Sequence, residues 1–301
     1  MVLPHPFMTK SSGAGTTITV RFPSNAAAAD EPPRFATGYW SIRGLGAPLR
    51  MMLCAAKCDH TVFLYDIVEN GDGWTSGYFQ EKSQMIEEYS APLMNLPFVA
   101  DRAERRVVCQ TNACMAHVAR HVGFWGSTKA EASQCEELLC EIYDVRNTIV
   151  KFSYGGDGSK EVAEKTLAAA KKNFAKLEAV LKLERGDEGA SAPVHLVGGK
   201  FSAPDFHLYE MLDQYSGLCS CYGFPSFLED FPLLKAFKDG FEKLEENQFY
   251  LNSWLHTGLP HNNCMACFAS LPGEGVYKHG ESAEEAKAWK GKGEITMTAE
   301  K

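Results

Sequence analysis

The chain has 301 residues, 45% hydrophobic and 23% charged, which is enough apolar material for one large domain or two ordinary ones. Thirty Lys and Arg against 38 Asp and Glu leave a net charge of −8; with no basic stripe, this argues against nucleic acid as the main partner. No apolar run reaches the roughly 18 residues that a membrane-spanning helix needs.

The first 29 residues carry Lys10 and Arg21, no acid, and many Ser, Thr and Ala. They read as a disordered extension, or alternatively as a transit peptide to an organelle. Ten cysteines over this length do not form the dense framework of a small secreted domain, and no signal peptide opens the chain. Free thiols in a reducing cytoplasm are the expectation.

Regular patterning starts at Phe35. Residues 35–40 form a short strand candidate that breaks into a turn over 41–44. A helix follows from Ala47, with Pro48 tolerated in its first turn. Residues 60–67 give a second strand, 69–77 a glycine-rich acidic loop, and a short polar helix surrounds Lys82. Residues 96–100 and 106–109 form a strand pair, and 111–122 resume helical spacing through Ala113, His117 and Arg120. This is an α/β pattern with a mixed sheet.

Beyond a connector at 124–129 the strand signals stop. Long helices are expected over 131–152 and 160–183, the second with Ala163, Leu167, Ala170, Phe174, Leu177 and Leu181 on one face. Two more follow, one after Ser202 and one over 232–246. The expected organisation is an extension over 1–34, an α/β domain over 35–122, an all-α domain over 129–257 and a mobile tail over 258–301.

The heptapeptide from Gly38 through Tyr39-Trp40-Ser41-Ile42-Arg43 to Gly44 resembles the opening signature of the cytosolic glutathione S-transferases, most closely the mu class. The resemblance extends over about residues 35–257. It implies a thioredoxin-like N-terminal domain that binds glutathione and a C-terminal helical domain that shapes an electrophile pocket. It also implies a homodimer, with glutathione as co-substrate and no metal or bound cofactor.

Within that resemblance Tyr39 is the catalytic residue. A free thiol ionises near 8.5, so little thiolate exists at neutral pH. A fixed O–H donor pointing at the sulfur, worth about 1.5–3 kcal/mol, suffices to lower that value by one to two units. Trp40 is expected to help hold the glycyl carboxylate of glutathione through its indole N–H. Lys82 aligns with a lysine that neutralises the same carboxylate, although Tyr78 stands where the family has tryptophan. Arg43 and Arg50 are cationic neighbours without a ligand role.

Asn95-Leu96-Pro97 resembles the turn before the family's third strand, where a cis peptide presents the Leu96 backbone to the cysteinyl amide. An edge-strand trans proline is the plainer alternative. Gln110-Thr111-Asn112-Ala113 matches the segment that binds the γ-glutamyl carboxylate, with Thr111 capping a helix whose dipole favours an anion. Glu137 aligns with an acid that reaches the γ-glutamyl amine across the dimer, or is an ordinary solvated acid. Ser202 and Asp205 form a capping box, stapled by Phe201 and Phe206.

Cys264 and Cys267, with His261 just before them, lack a second ligand pair at zinc spacing and read as solvated tail cysteines. The resulting function is conjugation of the glutathione thiolate to small hydrophobic electrophiles. A glutathione-dependent isomerase of the prostaglandin-synthase type and a non-catalytic glutathione-binding protein are the alternatives.

Overall fold

The computed structural model describes residues 7–23, 31–71, 73–186, 195–271, 275–277 and 293–299. Its first strand, β1 (Thr16–Arg21), alternates buried and half-buried side chains, the two-residue period of a strand with one face on a core. β2 (Phe35–Trp40), α1 (Ala47–Ala55) and β3 (His60–Tyr65) follow. β2 and β3 run parallel with Tyr39 opposite Leu64, which makes α1 the crossover between them.

The expected loop over 69–77 carries a small antiparallel ladder, β4 (Val68–Asn70) with β5 (Gly73–Thr75). α2 (Gly77–Glu88) starts where the Ser76 hydroxyl accepts from the Tyr78 N–H at 3.3 Å. β6 (Phe98–Asp101) and β7 (Arg106–Cys109) form an antiparallel hairpin beside β2, and α3 (Thr111–Val122) leaves its end.

The second half is helical: α4 (Lys129–Gly155), α5 (Lys160–Arg185), α6 (Ala203–Tyr222), α7 (Pro232–Phe241), α8 (Glu245–Leu251) and α9 (Trp254–Thr257). α6 is apolar on nearly all sides and is the buried centre of this half. At its start Asp205 accepts from the N–H groups of Ser202 and Leu196, each at 2.7 Å, and Phe201 stacks on Phe206 at 5.4 Å. The single helix expected over 232–246 is two. Asn247 and Gln248 side chains donate to the carbonyls of Phe241 and Glu242 at 2.8 and 2.7 Å, satisfying groups that a helix end leaves open.

β8 (Ala269–Leu271) pairs with β9 (Gly275–Tyr277), and β10 (Gly293–Thr298) returns to the main sheet. That sheet has six strands in the order β10-β1-β3-β2-β6-β7. This corrects the expected disordered extension and mobile tail, since β1 covers the edge of β3 and β10 covers β1. β-branched residues in alternation suit a half-buried strand, and Ile18 stands opposite Val62 on one side and Ile295 on the other. Beyond β1, Phe22 donates its N–H to Asp59 at 2.8 Å and sets its ring against Phe249 of α8. Residues 1–6, 24–30, 272–274, 278–292 and 300–301 of those expected segments lie outside the described residues. Among the described residues no helix is long and apolar enough to cross a membrane.

Ile18 is fully buried. Ile18→Ala is therefore expected to cost about 2–5 kcal/mol in urea unfolding. An extension lying loose on the surface would show no change.

Candidate active site

Tyr39 ends β2 with its side chain 6% exposed, packed with Ile42 and Leu45 and flanked by Trp40, Leu96 and Tyr143. The loop over 41–46 closes on its ring. A Cβ on Gly44 would lie 2.8 Å from Tyr39 Cε1 and 3.0 Å from its hydroxyl, and Gly44 has φ +38°. Only glycine fits both requirements.

Burial raises the Tyr39 pKa above the ordinary phenol value, opposed by the positive charge of Arg146 and by the Leu45 backbone. The phenol is therefore protonated at neutral pH. In that form it is a hydrogen-bond donor.

Arg43 fixes the loop. Its guanidinium is fully buried and grips Glu210 of α6 at 3.1 and 2.7 Å, with Asp213 at 2.7 Å. Its N–H donates to the Pro260 carbonyl at 2.7 Å, and the Gly44 N–H donates to that of His261 at 3.0 Å. Arg50, also buried, donates to the Ile42 carbonyl at 3.0 Å. Both arginines thus hold the loop that carries Leu45.

Trp40 meets Tyr78 edge-on at 5.5 Å, and the Lys82 ammonium lies 5.9 Å above the Tyr78 ring. Trp40, Tyr78 and Lys82 form one patch, and Tyr78 is buried as packing beneath it. The Leu96–Pro97 peptide is cis. Asn95 is exposed, and burial raises the pKa of the Cys109 thiol against the positive charge of Lys82. Cys109 stands immediately before the Gln110-Thr111 motif and went unremarked in the sequence.

At the start of α3 the expectation needs a correction. Gln110, not Thr111, occupies the N-cap position, and it makes no side-chain cap. Thr111 lies inside the helix, 2% exposed, and its hydroxyl has no hydrogen-bond partner among the described residues. Gln110 has φ +72°, a left-handed value costing a non-glycine residue roughly 1–3 kcal/mol. The helix start therefore offers open N–H groups and an unpaired buried hydroxyl. Glu137 is exposed on α4, one turn before Cys140, whose sulfur lies 3.8 Å from the Asn112 amide.

On the other side of Tyr39 stand residues that the sequence left unassigned. Arg146 lies 5.6 Å over the Tyr143 ring. The Tyr154 hydroxyl accepts from the Asn263 N–H at 2.8 Å. His207 is buried beneath Tyr143, and burial lowers its pKa to about 3, so it stays neutral.

Asn263 belongs to a tail segment that is packed, not loose. The Cys267 N–H donates to the Ser153 carbonyl at 2.7 Å and its thiol to that of Phe152 at 3.2 Å. Cys264 and Cys267 are half-buried, which corrects the solvated-tail expectation. The ring of His261 turns to Asp213, at 3.4 Å.

Residues 143–254 match the family model described as glutathione S-transferase, C-terminal domain. The chain is 30% identical over 238 residues to the class-mu 26 kDa isozyme 51 glutathione S-transferase of Fasciola hepatica, covering 77% of this chain and 94% of that protein. Glutathione S-transferase B of Cavia porcellus is 29% identical over 217 residues, 72% of this chain and 90% of that one. The crystal structure of the glutathione S-transferase Blo t 8 shares the fold at a TM-score of 0.61 and 23% identity, with 77% of this chain and 98% of that one covered. The chain belongs to the glutathione S-transferase family.

Replacing Arg43 by Met would leave Glu210 buried without its cation. The expected cost is about 3–5 kcal/mol in chemical denaturation. Arg43→Lys should recover only part of it, because an ammonium cannot reproduce the two-pronged contact.

Proposed function

We propose that the protein is a glutathione transferase that uses Tyr39 to hold the glutathione thiolate for attack on an electrophilic carbon. The observation that carries this reading is the buried, protonated phenol of Tyr39, packed with Ile42 and Leu45 under the loop that closes on its ring.

Glutathione would lie across the sheet end from α3 to Lys82. Its γ-glutamyl carboxylate meets the first N–H groups of α3 and the Thr111 hydroxyl, beside Gln110. Its cysteinyl part lies along Asn95, Leu96 and Pro97, and its glycyl carboxylate meets Trp40 and Lys82. The Tyr39 O–H then donates to sulfur and stabilises the anion over the thiol. The thiol proton leaves to solvent, and the thiolate forms a carbon–sulfur bond as the electrophile's leaving group departs or its double bond takes up the electron pair.

Tyr143, Arg146 and Tyr154 face the position where a small hydrophobic electrophile would sit. Conjugation uses a phenol that donates to the thiolate, whereas a mere carrier has no use for one.

A homodimer is part of the proposal. In a dimer Glu137 of one protomer would approach the γ-glutamyl amine held by its partner. Ten free cysteines agree with a cytoplasmic setting. Organelle import with removal of residues 1–34 would strip β1 from the sheet.

The test is a pH titration of the thiolate absorbance of bound glutathione. Wild type should ionise about one to two units below free glutathione, and Tyr39→Phe should lose that shift while still binding. Thr111→Val should do the reverse, weakening binding on the order of tenfold with the thiol pKa retained. Binding without a depressed pKa in wild type would favour the carrier, and no binding would end both readings.

A further inference from the structure

The far end of α3 carries a second group of chemically active side chains. His117 and His121 stand four residues apart on one face of the helix. Asp101 ends β6 and Glu104 lies in the turn before β7, both against that face. One ligand atom from each of the four lies within 4.8 Å of the other three. We propose that Asp101, Glu104, His117 and His121 bind one divalent transition-metal ion of the zinc type, clamping the β6–β7 hairpin to the end of α3.

The spacing argues for this. Metal–nitrogen and metal–oxygen bonds of about 2.0–2.2 Å put tetrahedral ligands about 3.3–3.6 Å apart. Here His117 Nε2 lies 3.1 Å and His121 Nε2 3.7 Å from Asp101 Oδ2, and His121 Nε2 lies 3.1 Å from Glu104 Oε1. Three edges of a coordination tetrahedron are thus already near their final length. Two imidazoles with two carboxylates also suit zinc and its neighbours better than calcium or magnesium. The Oδ1 atom of Asp101 takes the N–H groups of Ala103 and Glu104 at 3.0 and 3.2 Å, which fixes the carboxylate and turns Oδ2 toward the histidines.

Arg34 marks the cation position. Its Nη2 lies 2.7 Å from Asp101 Oδ2, 3.3 Å from His121 Nε2 and 3.6 Å from Glu104 Oε1. One guanidinium balances only one of the two carboxylates, whereas a divalent ion balances both. Arg34 is 38% exposed and borders, with His121, an open cavity of about 780 Å³ into which it can withdraw. Metal and Arg34 are therefore competitors for one place. The site touches neither Tyr39 nor Thr111, so the ion is structural.

The experiment titrates the full chain, freed of metal with a chelator, with Zn2+ by calorimetry and with Co2+ by absorbance. One ion should bind per chain, with visible d–d bands and no near-ultraviolet thiolate charge transfer, which excludes the ten cysteines as ligands. His121→Ala, or His121→Gln if the first variant folds poorly, should weaken binding on the order of tenfold or more. Arg34→Met should tighten it. No binding at millimolar metal, a thiolate charge-transfer band, or affinity indifferent to His121 would overturn the proposal. Arg34 would then be the cluster's only cation.

Discussion

Burying the Arg43 guanidinium forces the two halves of the chain into one arrangement. A charge out of water needs compensation at close range, and Glu210 and Asp213, three residues apart on α6, supply it. Because Arg43 sits in the loop between β2 and α1, the same contact decides where Leu45 and Gly44 lie. They in turn decide how the Tyr39 hydroxyl is oriented. Lys238 adds to the network at 3.4 Å from Asp213, so the excess negative charge of α6 is spread over two cations. Helix α6 contributes no group to the thiol chemistry, yet the position of the phenol depends on it.

Local rules are broken at the start of α3, where we propose that glutathione is held. Gln110 takes a backbone conformation suited to glycine, and the Thr111 hydroxyl is buried without a partner. Either feature alone costs stability in an empty protein. Together they leave an anion the only good complement to the start of α3, through open N–H groups, a dipole end and a hydroxyl. Tyr39 follows the opposite logic. Its burial disfavours the phenolate, so the neutral donor form is kept.

Much of this was legible in the sequence, because the elements from Phe35 to Val122 have short-range signals. Short apolar strand runs bounded by turns, a Pro in a first turn and a Pro before a strand are all local. So is the capping box at Ser202 and Asp205. What could not be read depends on pairings distant in sequence. Nothing near Arg43 announces Glu210, and nothing near Tyr154 announces Asn263. Thr111 was expected to cap α3 since hydroxyls usually do, but the cap geometry is one residue earlier, at Gln110. His117 looked like an ordinary periodic position until the β6–β7 turn brought Asp101 and Glu104 beside it and His121.

The ends of the chain were misread for the same reason. A six-residue strand of threonines and two apolar residues has too weak a signal alone, and composition around it favours disorder. Its stability comes from context. β3 has a free edge once β2 is paired, and a bare edge invites association with other chains. β1 covers that edge, and β10 covers β1 with Thr16 opposite Gly293. Closing so long a loop costs only slightly more than closing a short one, because the entropy grows with the logarithm of length. The chain's last part is also tied at Pro260 and His261, which accept from the Arg43 and Gly44 N–H groups. Both ends therefore converge on the domain that carries Tyr39, and the tail carbonyls reinforce from outside the loop that Arg43 anchors from within.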